Sequence, residues 1–400
     1  MKKIFISEKN SKAADKAVKK AVELVKKGYQ RKKVIGIIKK YLLNLKIPFT
    51  PEDAYVAARL RIRAKEKFGE LSNKLFFDES GYRYSTPAVV AKYRAERLRG
   101  YSIADVSCGS GMQLAFFGIN AEKEVTGIEL DKKRAYLAAL NVKALGAGAE
   151  IYHGNAYKYK PDEEVIFSDP ARPEREEIRT IKSLQPNPLK LAEIFSDRTL
   201  VFELPPQMPP EKVDSQFQST GLKGEKEYVS LGFKLNRLAF YSKELSSCDV
   251  SAVSLPSGER VTSEDEAVKP GRTEFTELIA EVDRTVVHAG LLDNLLGKLG
   301  IEACILFRDK RRTVLGLREV KNSAFLRYYK VVCTASSLTE CKKLLKNVSA
   351  KKVTLRFSVD PRKYWDLRKE LEENLSGEKH VYLFRFDKFV ICERADCCND

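Results

Sequence analysis

The chain has 400 residues, enough for two or three domains, and its 43% hydrophobic content is ordinary for a globular protein. No apolar run approaches a membrane span, and the opening "MKKIFISEKNSKAADK" lacks the apolar centre of a secretory signal, so the expectation is a cytoplasmic chain. Lys and Arg total 72 against 55 Asp and Glu, a formal charge of +17 that favours RNA or DNA as partner first and an acidic membrane surface second.

Residues 1–48 carry apolar side chains at helical spacing, and "AADKAVKKAVELVKKGYQ" and "KKVIGIIKKYLLNL" predict two amphipathic helices. Their cationic sides either touch phosphates or stand as solvated faces of a small bundle, since a charge run alone says little. Thr50, Pro51 and Asp53 then place an N-cap, a first-turn proline and a third-position acid, which predicts another helix. A turn is expected at Ser80-Gly81, a further capped start at Ser85-Thr86-Pro87, and a helix end at Gly100. Residues 1–100 are thus read as a basic helical region.

The pattern changes at Ser102. "SIADVSCGSGMQLAFFGI" reads as strand, Gly-rich turn and helix, and "EVTGIELDKKRAYLAALNVKALGA" as a second strand and helix. "AEIYHGNAY", "EEVIFSDPAR" and "RTLVFELPPQMPPE" supply three more strands. Such alternation predicts an α/β fold with a parallel, doubly wound, Rossmann-like sheet over residues 101–245. "EKEYVSLGFKLNRLAFYSKEL" predicts a hairpin closing one sheet edge. Residues 246–276 read as a linker or hairpin. From 277 to 400 a smaller α+β module follows, with helices at "DRTVVHAGLLDNLLGKLG" and "SLTECKKLLKN", and a capped one at "PRKYWDLRKELEENL".

The eight cysteines form no CxxC pair; six are scattered singly and Cys397 and Cys398 are adjacent. Reduced thiols are expected. Three well-separated histidines argue against a metallohydrolase, and no metal is expected. Oligomeric state is silent, with monomer as the default.

The chemistry concentrates at strand ends. After the first strand, Asp105 precedes the loop Cys108-Gly109-Ser110-Gly111, which lets a ligand approach the backbone. A dinucleotide fingerprint would need a third glycine where Leu114 stands, and Asp105 is a poor neighbour for phosphate but a good one for a cation. A dehydrogenase is therefore disfavoured. Glu129, at the second strand end, suits a ribose diol; Asn155 and Ala156, after the third, suit an adenine edge. Asp169 ends the fourth. In an open α/β sheet such ends converge on one crevice. Together they fit a nucleoside without phosphate and with a cationic tail.

"ADVSCGSGMQL", "VTGIELD", "HGNA" and "IFSDPAR", in this order, resemble the class I S-adenosylmethionine-dependent methyltransferases. The resemblance implies that Asp105, Cys108, Gly109 and Gly111 hold the methionine portion of the donor, Glu129 the ribose, and Asn155 with Ala156 the adenine. It also implies a place for Thr86, in "YSTP", near the methionine carboxylate, which helix capping explains equally well. A finer resemblance runs from about Thr50 to Arg394, through "SDPARPE" and "VVHAGLLDNLLGKLG". It is to methyltransferases with a C-terminal THUMP-like domain, which implies RNA, tRNA or rRNA, as substrate and partner. That set has two arginines after Asp-Pro-Ala, where this chain has Arg172 and then Pro173.

The resemblance gives Asp169, Pro170 and Arg172 a catalytic reading. A carboxylate hydrogen-bonded to an exocyclic amine aims its lone pair at a methyl group, and positioning carries much of such a barrier reduction. Amino methyltransferases do this with an Asp/Asn-Pro-Pro-aromatic motif; here Ala171 and Arg172 fill the last two places. Arg172 is expected to stack on a base or bind phosphate, with pairing to Glu174 or Glu176 as the structural alternative. Asp169 as a simple strand-end cap is the bland alternative. Glu203 touches substrate or only rims the crevice. Cys108 reads as a small loop residue, not a nucleophile. The expected function is RNA base methylation. The alternatives are a protein or small-molecule methyltransferase and a noncatalytic RNA-binding or assembly protein.

Overall fold

The structure is a computed structural model, and it describes every residue except 44, 46, 120, 173–179, 272–275, 310, 311 and 396–400. Cys397, Cys398 and any pairing of Arg172 with Glu174 or Glu176 lie outside the described residues. The rest falls into two compact units, 1–227 with 237–247, and 228–236 with 248–400.

The first unit starts with β1 (Lys2–Lys3), α1 (Glu8–Lys26), α2 (Arg31–Ile38), α3 (Pro51–Arg63), α4 (Lys65–Phe68), α5 (Glu79–Tyr84) and α6 (Ala88–Arg97). Alternation then sets in: β2 (Ile103–Asp105), α7 (Met112–Gly118), β3 (Val125–Glu129), α8 (Lys132–Ala144), β4 (Glu150–His153), β5 (Val165–Ser168), α9 (Pro188–Ile194), β6 (Thr199–Leu204) and α10 (Pro210–Phe217). The hairpin β7 (Gly224–Leu231) and β8 (Leu235–Ser242) follows, its base in this unit and its tip, 228–236, in the second. The strand order is β1-β4-β3-β2-β5-β6-β8-β7. β4, β3, β2, β5 and β6 run parallel, while β1 and β8 pair antiparallel to β4 and β6. This mixed sheet is an α/β fold of the Rossmann-like kind. Five parallel strands align the carboxyl ends that the sequence singled out.

The expected helical region 1–100 does not stand apart. Ala14, Ala17, Val18, Ala21 and Leu24 on α1 are buried in the same core as Val125, Ile151 and Val165 of the sheet and Leu137 and Leu140 of α8. Burying Val18 and Leu24 contributes on the order of 1.5–3 kcal/mol each. Its separation in the sequence came from a change of periodicity, but an amphipathic helix needs a surface to cover, and here that surface is the sheet layer. Asn141 fastens the two parts: its side chain accepts from Phe76 N at 2.7 Å and donates to Phe76 O at 2.9 Å and Ser110 O at 2.7 Å.

Several local expectations hold. Thr50 and Asp53 exchange the two hydrogen bonds of a capping box, and Pro51 opens the helix. Others do not. Ser80-Gly81 lies inside α5, because Asp78 caps that helix through Gly81 N. α6 has no side-chain cap; Pro87 occupies the position.

In the second unit β9 (Val250–Leu255) and β10 (Glu259–Thr262) extend the hairpin tip, so the hairpin is not the expected sheet edge. Next come β11 (Leu278–Val282), α11 (Arg284–Ala289), α12 (Leu292–Leu299), β12 (Ala303–Arg308), β13 (Thr313–Leu317), β14 (Leu326–Ala335) and α13 (Leu338–Asn347). β15 (Ala350–Leu355), α14 (Tyr364–Glu372), β16 (Lys379–Arg385) and β17 (Phe389–Arg394) complete it. The sheet order is β12-β13-β11-β14-β17-β16-β15. Gly290, in the left-handed region, splits the helix expected over "DRTVVHAGLLDNLLGKLG". α14 lacks the expected side-chain cap. No helix among the described residues is long and apolar enough to cross a membrane.

Candidate active site

β2 ends on Asp105, whose side chain is 2% exposed and accepts Ser107 N at 3.1 Å. The chain then turns through Cys108-Gly109-Ser110-Gly111. Cys108 N donates to Ile128 O at 3.0 Å, tying the loop to β3. Gly109 and Gly111 have φ of +55° and +77°. A Cβ on Gly111 would stand 2.8 Å from Ala138 Cα, so α7 and α8 pack closely only because that residue is glycine. A Cβ on Gly109 would meet only Ser107 O, at an ordinary 4.0 Å, so the backbone there is approachable.

Glu129 closes the second side. Its Oε2 accepts Gly109 N at 2.9 Å and its Oε1 accepts Asp131 N at 2.8 Å. One bond per oxygen fixes the carboxylate and leaves each oxygen a second lone pair for a diol. Gly154 N donates to Glu129 O at 3.0 Å, bringing Asn155 and Ala156 alongside. Asn155 Oδ1 is engaged by Tyr157 N at 2.9 Å, which leaves its NH₂ as donor toward a ring nitrogen.

Asp169 joins the same cluster through Ser107. The Ser107 hydroxyl accepts Asp169 N at 3.0 Å and lies 2.9 Å from Ser168 Oγ. The residue that turns the chain after Asp105 therefore also sets where β5 ends. Pro170 is buried behind it, and Ala171 pairs with Gln185. Arg172 is exposed and reaches Leu204 O at 3.5 Å, at the end of β6. Thr86 is buried just before α6, with no hydrogen bond to the loop among the described residues.

Carboxyl groups in this cluster are held away from their ordinary behaviour. Burial holds Asp105 well above the usual carboxylate range; the Ser107 N–H opposes this, and Asp169 and Glu129 add repulsion. Burial also raises Glu129, against the two amide bonds. The Cys108 thiol is pushed up by burial and then by Asp105 and Glu129, so it is no thiolate nucleophile.

Three cations here carry no sequence signature. Arg237, on β8, contacts Asp169 Oδ2 at 3.4 Å, Glu203 Oε2 at 3.5 Å and Tyr84 O at 3.5 Å. Arg94 forms a buried ion pair with Glu203 and donates to Gln113 at 2.8 Å. Glu203 is thus a structural partner as well as a strand-end acid. Lys67 donates to Tyr82 O at 3.0 Å, and its pKa is lowered to about 8 by burial and by Arg237, against Asp169. Beside them a cleft of about 630 Å³ is lined by Arg63, Lys67, Tyr82, Arg83 and Tyr84. These contacts arise from strand and helix neighbours remote in sequence, so no local motif could announce them.

No family model matches the chain. Two Mycobacterium tuberculosis proteins, from strains CDC 1551 / Oshkosh and ATCC 25618 / H37Rv, are each described as an uncharacterized S-adenosylmethionine-dependent methyltransferase. Each is 30% identical over 251 residues, 60% of this chain and 68% of the relative. The chain belongs to the S-adenosylmethionine-dependent methyltransferases. A crystal structure from Porphyromonas gingivalis W83, itself a provisional methyltransferase assignment, shares the fold: TM-score 0.74 at 18% identity, covering 98% of this chain and 100% of that one.

The methyl donor of this methyltransferase is S-adenosylmethionine, and the cluster fits it. Asp169 and Glu129 both repel a charge on Asp105, which a sulfonium or ammonium cation would offset. The loop over Gly109 is open to a ligand, and Glu129 retains the acceptor capacity that a diol requires.

Proposed function

We propose that the enzyme methylates an RNA base, in tRNA or rRNA, at an exocyclic amino group. Supporting this reading is the bond from Asp169 N to Ser107 Oγ, which fixes a strand-end carboxylate against the loop beginning at Asp105. In this reading Asp105, Cys108, Gly109 and Gly111 hold the methionine part of the donor, Glu129 its ribose, and Asn155 with Ala156 its adenine, with Thr86 toward the methionine carboxylate. Bound, the donor supplies an electrophilic methyl on a sulfonium.

Asp169 accepts an N–H hydrogen bond from the acceptor amine, aims the nitrogen lone pair, and is placed to receive the proton that the amine loses. Arg237 limits the orientations open to that carboxylate. Pro170 stiffens the strand end, and Arg172 contacts the base or its phosphate. Residues 277–400 are read as the THUMP-like module, adding affinity for RNA beyond the methylated base; the excess of cations supports this.

The test is transfer of labelled methyl from S-adenosylmethionine to total RNA from a strain lacking this protein. Wild type should label a discrete RNA, and Asp169→Ala should lower the rate on the order of 100-fold through lost positioning. Calorimetry should show both proteins binding donor with similar affinity. Equal labelling by the two would demote Asp169 to a strand cap. Donor binding without label in any RNA would sink the RNA reading.

A further inference from the structure

The seven-stranded sheet of the second unit has one face covered by helices. Cys341 and Leu345 of α13 and Leu371 of α14 pack with Val353, Leu383 and Ile391 there. Register fixes what lies on the other face. Ile279 and Glu281 of β11 stand beside Tyr329 and Arg327 of β14, and Tyr329 stands beside Arg394 of β17. Arg312, just before β13, and Arg356, just after β15, reach Glu281 from either side, each at 3.6 Å. Tyr329 donates to the same carboxylate at 3.4 Å.

Arg312 and Arg356 therefore contact Glu281, which is 6% exposed, Arg327 stands opposite it, and Arg394 stands beside Tyr329. Asp309 lies nearby, where it accepts Arg312 N at 2.7 Å and Ser358 Oγ at 3.2 Å. The arginines lie over rings: Arg327 on Phe233 at 4.0 Å, Arg356 on Tyr382 at 5.7 Å and Arg394 on Tyr329 at 5.9 Å. Stacking fixes the plane of a guanidinium and leaves the rest of its N–H edge for a ligand, with Arg327 Nη2 also reaching Gly232 O at 3.4 Å. Arg356 Nε and Arg312 Nη1 are buried donors with no hydrogen-bond partner among the described residues. Burial, then Arg394, lower the pKa of Arg327, so this cationic charge is held under strain. Arg312 also lines a cleft of about 330 Å³ with Phe357, Tyr364 and Trp365. Trp365 is 68% exposed, with Arg368 at 5.5 Å from its ring.

We propose that Arg312, Arg327, Arg356 and Arg394 bind the phosphates of a single-stranded nucleic acid, with a base stacking on Trp365 beside Arg312. Fixed guanidinium edges match phosphate oxygens bidentately. An adjoining exposed indole is the complement of a base, and stacking with backbone charge is how single strands are held. The inference deepens the RNA reading above, but its test needs no methyl transfer, so the two can fail separately.

The probe is a fluorescein-labelled 12-mer oligouridylate, with oligothymidylate of the same length as the DNA arm, titrated against the full chain by anisotropy. The double variant Arg327→Gln/Arg394→Gln spares the two arginines nearest Glu281. It should weaken oligouridylate binding at least tenfold and flatten the log–log salt dependence by about 1.4, the share of two single-strand phosphates. Lys343→Gln/Lys346→Gln, on exposed positions of α13, removes the same charge elsewhere and should change affinity less than twofold. Trp365, the single tryptophan, should be quenched on binding. Matching behaviour of the DNA arm supports the site and assigns it to the backbone rather than the 2′-hydroxyl. Equal losses in the two double variants, or none in either, would overturn the proposal. So would phosphatidylserine vesicles that depend on the arginine pair when the oligomers do not. Should the first double variant fold poorly by its thermal midpoint, Arg394→Lys is read instead. It keeps the charge, loses the planar edge, and must still weaken binding.

Discussion

Asp105 is an acid held where ionisation is costly, with burial the main cause. In the unfolded chain its carboxyl has an ordinary pKa of about 4. Between that value and the raised native one, the folded state binds more protons, so the stability of the donor-free protein falls as pH rises through this window. A cationic donor favours the ionised form, and its binding must expel the proton Asp105 still holds. Donor affinity is therefore expected to rise with pH through the window and level off above it. Calorimetry in buffers of different ionisation enthalpy should detect proton release at the low end, and Asp105→Asn should weaken binding and abolish the release. Affinity independent of pH in the wild type would contradict this account. Asp105, Glu129 and Asp169 were legible in the sequence because strand ends and acids are local signals. Arg237 was not: it sits mid-strand in "LNRLAFY", and only the antiparallel pairing of β8 with β6 brings it to Glu203 and Asp169.

Among the elements, the loop between β2 and α7 depends on two separate properties of glycine. Gly111 has φ of +77° and touches Ala138; Gly146, after α8, has φ of +67°, and a Cβ added there would meet nothing within 4 Å. Gly146→Ala thus meets only the left-handed penalty, on the order of 1–2 kcal/mol. Gly111→Ala adds a clash with backbone that cannot swing aside, and about 2 kcal/mol more is expected. Thermal unfolding should rank the two variants in that order, with donor binding lost only in Gly111→Ala. Equal destabilisation would mean that α7 and α8 can separate without cost. Elements whose signals are local were readable: the capping box at Thr50 and Asp53, and the alternation of strands and helices. Ser85-Thr86-Pro87 misled because a hydroxyl before proline is only permissive for capping. Asp78 capped α5 unnoticed because Ser80-Gly81 read as a turn.

For the molecule as a whole, composition placed a boundary near residue 246, and the first unit does end at 247, but the chain also crosses once before that point. The second unit takes 228–236 from inside the β7–β8 hairpin before the chain returns to finish the first with 237–247. Tyr228 is fully buried in that second unit, against His288 at 5.8 Å, and the Ser230 hydroxyl pairs with Asp283. Strand patterning reports which residues alternate, not which neighbour a hairpin tip will join, so this exchange was invisible in the sequence. A fragment 1–247 would expose the apolar side of the tip, and a fragment 248–400 would leave Asp283 without the Ser230 hydroxyl. Neither is expected to be a well-behaved domain. Fragment 1–247 should aggregate or unfold at least several degrees below the full chain, and replacing Tyr228 with Ser within it should improve solubility by removing buried-type surface. Size-exclusion chromatography and thermal melts read both effects. A monomeric 1–247 with the full chain's midpoint would show that the hairpin tip folds without its partners, and that residues 1–247 stand as a domain by themselves.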